Sequence, residues 1–152
     1  MFLYPADLKF LRSGAWFRIN PFWIANKITT VKRIDFEIKL GENVHSLASA
    51  FENLEKLEYV NIQDTFGVTN MSGMFNGAKS FNQPITKWDT SSVTDMSEMF
   101  SGAESFNQPI GNWDTSKVTY MYGMFNGATS YRAICSIFVH SFLFSPDHKF
   151  LL

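Results

Sequence analysis

The sequence has few of the residues and runs that mark catalytic, membrane or nucleic-acid-binding proteins. Among its 152 residues there is one cysteine, Cys135, which excludes an internal disulfide framework and any multi-cysteine metal site. No window approaches the roughly 18 consecutive apolar residues that a membrane-spanning helix needs. Thirteen basic and fourteen acidic residues give a net charge of −1, which argues against a general nucleic-acid binder. The first residues, MFLYPADLKFLRSG, lack the basic-then-apolar order of a secretion signal.

What the sequence does contain is a repeat. Residues 68–92 (VTNMSGMFNGAKSFNQPITKWDTSS) and 93–117 (VTDMSEMFSGAESFNQPIGNWDTSK) differ at seven of 25 aligned positions. A third, partial copy covers residues 118–131, and a degenerate copy covers 44–67. The degenerate copy contains the Leu-x-x-Leu-x-x-Val-x-Ile spacing of a leucine-rich repeat at residues 54–62. Sequence self-similarity at a fixed period indicates stacked structural units.

Each repeat predicts a short helix followed by a short extended segment. Apolar residues at 93, 96, 99, 100 and 103 follow helical spacing, and Gly102 occupies a position typical of a helix C-terminus. We therefore predict a helix from Val93 to Ser101 and an extended piece near residues 110–113. Stacking would bury one column of apolar side chains per repeat, since a single unit cannot bury its own stripe. In the second full copy this column comprises Val93, Met96, Met99, Phe100, Ala103, Phe106, Ile110 and Trp113.

Non-repetitive segments flank the repeats. Residues 34–40 alternate between apolar and charged side chains, which predicts a half-buried strand that begins the solenoid as its N-terminal cap. The predicted organisation is a non-repeat N-terminal segment with its capping strand (1–43), a repeat solenoid (44–131) and a non-repeat C-terminal tail (132–152).

The repeat string VTDMSEMFSGAESFNQPIGNWDTSKVT resembles the repeat of BspA-like leucine-rich-repeat surface proteins of bacteria. The shared features are the paired Met, the Met-Phe-x-Gly-Ala turn, Ser-Phe-Asn-Gln, and Trp-Asp-Thr-Ser before Val-Thr. The resemblance implies a curved solenoid. The repeats of this chain predict a short right-handed α/β solenoid of the leucine-rich-repeat type, with three to four coils, fewer than is typical of the family. It also implies a cell-surface or secreted location and a role in adhesion or protein recognition, with a protein or host-surface ligand. It transfers no catalytic, cofactor or metal-binding residue to this chain.

Several rows of polar or aromatic residues recur one repeat apart. Asp89 and Asp114, with Asp64, form either a cation-binding row or a set of turn caps, and the lack of a calcium-type ligand loop favours caps. Asn82 and Asn107 predict amide hydrogen bonds along the stack. Trp88 and Trp113 lie in the apolar column, which predicts burial rather than an exposed platform.

The positions that differ between copies are the candidates for partner contact, because the invariant ones hold each coil together. The residues selected as possible partner contacts are Lys79, Lys87, Glu98, Glu104 and Asn112. The sequence therefore predicts a non-enzymatic binding or adhesion module without a cofactor. One alternative is a truncated or frame-shifted structural remnant of a longer repeat protein without a ligand. The other is an enzyme with its site in the aromatic N-terminal region, where residues 1–30 offer no His or Cys.

Overall fold

The computed structural model describes residues 30–38, 40, 44–62 and 64–132, and these residues form stacked coils that coincide with the repeats. We number them coil 1 (44–67), coil 2 (68–92), coil 3 (93–117) and coil 4 (118–132). Residues 30–40 lie against coil 1 and are called the leading half-coil. Parallel bridges join Ser46 to Asn70, Asn70 to Asp95, and Asp95 to Tyr120, so each coil is in register with the next.

Two strands are present in the described part of the chain. Strand β1 comprises Arg33–Ile38 and strand β2 comprises Tyr59–Ile62. They pair in parallel, with Arg33 opposite Tyr59 and an irregularity between Ile34 and Ile38. Ile34 is buried and Arg33 and Asp35 are exposed, as expected for a strand with one buried face. The predicted capping strand is thus confirmed in outline, and it pairs with the first coil.

The predicted helix-plus-strand coil of the leucine-rich-repeat type is wrong. The described residues contain no helix, and the segments predicted as helix (93–101) and as strand (110–113) consist of turns and irregular backbone apart from the bridge at Asp95. Among them no helix is long and apolar enough to cross a membrane. The hydrogen bonds show that the helix-like spacing of the apolar residues comes from turns.

Two consecutive four-residue turns replace the helix in coil 3. The Met99 N–H donates to the Met96 carbonyl at 3.2 Å, and the Ala103 N–H donates to the Phe100 carbonyl at 3.0 Å. The third residue of each turn, Glu98 or Gly102, has a positive φ (55° and 67°), as a type II turn requires. Apolar residues lie at the first and fourth position of each turn, which produces the same i, i+3, i+4, i+7 spacing as a helix. Gly102 is therefore a turn residue rather than a helix cap.

Alternate main-chain amides of these turns bond between coils, whereas the amides of Met99 and Ala103 close the turns themselves. The N–H groups of Met96, Glu98 and Phe100 donate to carbonyls of coil 4 at 2.8–2.9 Å. The equivalent groups of coil 2, Met71, Gly73 and Phe75, donate in the same way to coil 3. In a helix each of these groups would donate to a carbonyl four residues earlier. The stack is thus held by rows of hydrogen bonds parallel to its axis.

The core is one continuous apolar column, as the repeat predicts. All eight predicted positions of coil 3 are buried, and their equivalents in coil 2 are buried as well. Phenylalanine rings stack from coil to coil, with centroid distances of 5.5 Å for Phe51–Phe75 and 5.8 Å for Phe75–Phe100 and Phe100–Phe125. Trp88 and Trp113 are 6% and 7% exposed, which confirms their predicted burial.

Candidate functional site

The five residues predicted to contact a partner are all exposed, whereas the invariant apolar residues lie inside. The structure does not bring the five into one cluster. Lys79 and Glu104 lie in one column along the stack, and Lys87 and Asn112 lie in a second. Glu98 lies in a third column, in which the equivalent residues of coils 2 and 4 are glycines.

The column of Lys79 and Glu104 is an internal charge row. The Lys79 Nζ lies 3.1 Å from the Glu55 carboxylate of coil 1, and that hydrogen bond, together with the charge of Glu55 and that of Glu104, raises the pKa of Lys79. Exposed pairs of this kind contribute little stability, because water screens both charges. Alternating charge along the column keeps adjacent coils from repelling each other.

The column of Lys87 and Asn112 joins coils 2 and 3 through one side chain. The Asn112 Nδ2 donates to the Thr86 carbonyl at 2.7 Å. The Asn112 amide nitrogen therefore makes a hydrogen bond between coils, and Lys87 is the exposed cation of this column.

Glu98 occupies a turn position that is glycine in both adjacent coils. Its φ of 55° lies in the left-handed region, like those of Gly73 and Gly123. Its carboxylate accepts a hydrogen bond from the Asn76 Nδ2 at 3.1 Å, and its N–H donates to the Tyr122 carbonyl at 2.8 Å. Glu98 thus bonds to coil 4 through its main chain and to coil 2 through its carboxylate.

Coil 4 adds two exposed aromatic side chains at this face. Tyr120 and Tyr122 are 52% and 55% exposed. Tyr120 is bridged to Asp95, and the Tyr122 carbonyl accepts from Glu98. We call Asp95, Glu98, Tyr120 and Tyr122 the tyrosine patch.

Glu98 is one of the five residues predicted to contact a partner, whereas Tyr122 is not among them. The signal was present in the alignment, because Tyr122 stands where Ser72 and Ser97 stand in the other copies. Coil 4 thus carries two tyrosines at positions where the other coils carry smaller side chains, and this difference distinguishes its surface from theirs.

The other polar rows are structural. Asp64, Asp89 and Asp114 each accept a hydrogen bond from the N–H two residues later at 2.8–2.9 Å, which confirms turn capping. The Ser91 hydroxyl and N–H lower the pKa of Asp89. No group of three or more His, Cys, Asp or Glu able to hold a metal ion occurs in the part of the chain that the structure describes.

The predicted amide row is confirmed. The Asn82 Oδ1 accepts from the Asn107 N–H at 2.9 Å, and the Asn107 Oδ1 accepts from the Arg132 N–H at 3.2 Å. Cys135 and the N-terminal segment 1–29, where the enzyme alternative placed its site, lie outside the described residues.

Comparison with known proteins gives a family and no function. No curated protein and no solved structure matches the chain. One family model matches residues 45–143, which cover coils 2 to 4 and coil 1 from its second residue, and which make up more than half of the sequence. The chain therefore belongs to the family described as "Mycoplasma protein of unknown function, DUF285".

Proposed function

We propose that this chain is a non-enzymatic binding module that presents the tyrosine patch to a protein partner at a cell surface. The observation that carries the proposal is the pair of half-exposed tyrosines next to Glu98, on a face where the other coils carry smaller side chains without rings. Tyrosine supplies large contact area with few rotatable bonds, and it is enriched among residues that dominate binding energy.

The backbone under the patch is already ordered. The N–H of Tyr120 donates to the Thr94 carbonyl at 3.1 Å, and Thr119 makes two hydrogen bonds to the same carbonyl. Binding therefore has to order the tyrosine side chains but not the main chain at these residues. The entropic cost of association is lower for this reason.

The chemistry of the patch favours a basic partner. Asp95 and Glu98 supply two carboxylates at main-chain positions that bond to Tyr120 and Tyr122, and arginine can pair with a carboxylate and stack on an aromatic ring. The cell-surface setting rests on the resemblance to BspA-like surface proteins. We propose that binding does not depend on Lys79, Lys87, Glu104 and Asn112, since each lies in a separate column from the patch.

The repeat supplies variants that alter the surface while keeping the coil. Tyr120→Asp with Tyr122→Ser gives coil 4 the residues of coil 3, and Glu98→Gly gives coil 3 the residue of coils 2 and 4. Lys87→Asn, which copies Asn112, is the matched control away from the patch.

The test is saturable binding of fluorescently labelled full chain to intact mammalian epithelial cells, measured by flow cytometry with and without prior trypsin treatment of the cells. We expect saturable, trypsin-sensitive binding that weakens at least tenfold in the double tyrosine variant, by about 1.4 kcal/mol or more. Glu98→Gly should weaken it less, and Lys87→Asn should leave it unchanged. Absence of saturable binding, or equal binding by the double variant, would refute the proposal.

A further inference from the structure

Two Asn-Gly pairs occur in the sequence, at the same position of two coils. Asn76-Gly77 lies in coil 2 and Asn126-Gly127 lies in coil 4, each within the string Met-Phe-Asn-Gly-Ala. An asparagine followed by glycine is chemically labile, because no Cβ hinders the attack of the glycine nitrogen on the asparagine side chain. Both glycines have positive φ, 71° and 73°, in the second turn of their coil. The two pairs therefore share both their neighbouring sequence and their turn conformation.

In coil 2 the peptide group between Asn76 and Gly77 is bonded on both sides. The Asn76 carbonyl accepts a hydrogen bond from the Asn53 N–H at 2.7 Å. The Gly77 N–H donates to the Ser101 carbonyl, also at 2.7 Å. The Asn76 side chain is held as well, because its Nδ2 donates to the Glu98 carboxylate at 3.1 Å. For the Gly77 nitrogen to reach the Asn76 side chain, this peptide group has to turn and both main-chain bonds have to break.

In coil 4 the equivalent peptide group is bonded on one side only. The Asn126 carbonyl accepts from the Gly102 N–H at 2.6 Å, but the Gly127 N–H has no acceptor among the described residues. Both Asn126 and Gly127 are exposed, so water reaches the site. Among the described coils, coil 4 also has a neighbour on one side only, and the end of a stack opens locally more easily than its middle. Turning this peptide group therefore costs one inter-coil hydrogen bond instead of two.

We propose that Asn126 is a site of spontaneous covalent modification, and that coil stacking protects Asn76 from the same reaction. The Gly127 nitrogen gives up its proton to water or hydroxide and attacks the Asn126 Cγ. A bond forms between this nitrogen and Cγ, the bond from Cγ to Nδ2 breaks, and Nδ2 leaves as ammonia. Water then opens the resulting five-membered imide at either of its two carbonyl carbons, which yields aspartate or isoaspartate. The reaction consumes water and needs no oxidant or reductant.

The product carries a new negative charge on the surface of coil 4. A Cβ placed on Gly123 would lie 3.4 Å from the Glu98 Cγ and 4.0 Å from the Asn126 Cβ, so only this glycine separates the two side chains. The new carboxylate therefore arises on the side of the stack where Glu98 already lies. Isoaspartate also lengthens the main chain of the turn by one carbon atom.

The test compares the two pairs within one molecule. The purified full chain is incubated in its native state at mildly alkaline pH, and peptide mapping by mass spectrometry follows the conversion of each asparagine with time. We expect Asn126 to react at least about tenfold faster than Asn76, because one further main-chain hydrogen bond has to break at Asn76. In concentrated urea the two should react at similar rates, because the sequences around them are nearly identical.

The repeat also supplies matched variants. Asn126→Ser copies Ser101 of coil 3, and it should abolish the acidic species that ion-exchange chromatography separates from the native chain after incubation. Asn76→Ser, the same change in coil 2, should leave that species in place. Equal rates at the two sites of the native chain, faster reaction at Asn76, or a rate ratio that persists in urea would each overturn the proposal. None of these outcomes depends on the tyrosine patch binding a partner.

Discussion

Left-handed backbone conformations at fixed positions determine the path of each coil. The third residue of every paired turn has positive φ, and the second turn of coils 2, 3 and 4 uses glycine there: Gly77, Gly102 and Gly127. At Gly77 a Cβ would lie 2.6 Å from the Asn53 Oδ1, so close stacking as well as φ favours glycine. The repeat alignment finds these positions, but it does not distinguish a turn glycine from a helix-terminal glycine, because both need positive φ.

Glu98 is the exception among these positions in coils 2 to 4, and it gives a residue-scale prediction. Glu98→Gly should raise the free energy of unfolding by up to about 1 kcal/mol, since a non-glycine residue at positive φ costs about 1–2 kcal/mol and part of this is offset by the greater freedom of unfolded glycine. Chemical denaturation measures the change. Glu98→Ala is the control, because it removes the same carboxylate without relieving the backbone. Equal destabilisation by both variants would show that φ is not the cause.

Tyr131 gives a second residue-scale prediction, because its buried hydroxyl has no hydrogen-bond partner among the residues that the structure describes. Its equivalents are Phe81 and Phe106, so Tyr131→Phe fits the column. Removing an unsatisfied buried hydroxyl should stabilise the fold by about 1 kcal/mol.

The same residue makes stability depend on alkaline pH. Burial raises the pKa of Tyr131 to about 12, so between the ordinary pKa of about 10 and 12 the unfolded chain loses a proton that the folded chain keeps. Unfolding is then favoured as pH rises. The advantage of Tyr131→Phe over the unmodified chain should therefore widen above pH 10 in denaturation curves. A constant difference from pH 8 to 11 would contradict the assigned burial.

At the scale of elements, one side chain makes the main-chain hydrogen bonds that a neighbouring strand would otherwise make. Gln83 of coil 2 pairs with both main-chain groups of Val60 in β2: its Oε1 accepts from the N–H at 2.8 Å and its Nε2 donates to the carbonyl at 2.9 Å. One side chain thus replaces a neighbouring strand.

Gln83→Ala should cost about 1–3 kcal/mol of unfolding free energy, because Val60 is fully buried and its main-chain groups would be left unpaired. Gln108→Ala is the matched control at the equivalent position of coil 3. The Gln108 Nε2 bonds only to Asn82, at exposed atoms, so its loss should cost less. Similar losses for the two variants in thermal or urea unfolding would argue against a special role for Gln83.

The sequence predicts different features of the elements with different success. The alternation at 34–38 identifies β1, and the repeat identifies the buried column down to Trp88 and Trp113. It does not identify the turns, since two four-residue turns with apolar ends produce the same spacing as a helix. It also cannot show that Tyr122 adjoins Glu98, because that contact depends on how adjacent coils bond to each other.

For the whole molecule, stability comes from contacts between neighbouring coils. The same substitution should therefore lower the free energy of unfolding more in an inner coil than in an outer one. Phe100 has stacked rings on both sides, Phe75 and Phe125, and is fully buried. Phe100→Ala should cost about 3–5 kcal/mol. Phe125→Ala should cost less, because Phe125 is only partly buried and has an adjacent coil on one side among the described residues. Equal costs in equilibrium unfolding would count against a nearest-neighbour stack.

The central claim is that alternate amides of each pair of turns bond to the next coil, whereas in a helix they would bond to carbonyls four residues earlier in the same coil. Scalar coupling across hydrogen bonds in nuclear magnetic resonance reads the donor and acceptor of each bond directly. We expect the amide nitrogens of Met71, Gly73 and Phe75 to couple to the carbonyl carbons of Asp95, Ser97 and Met99. Coupling of the same nitrogens to carbonyls four residues earlier would mean that these segments are helices, and the stacked-turn structure would be incorrect.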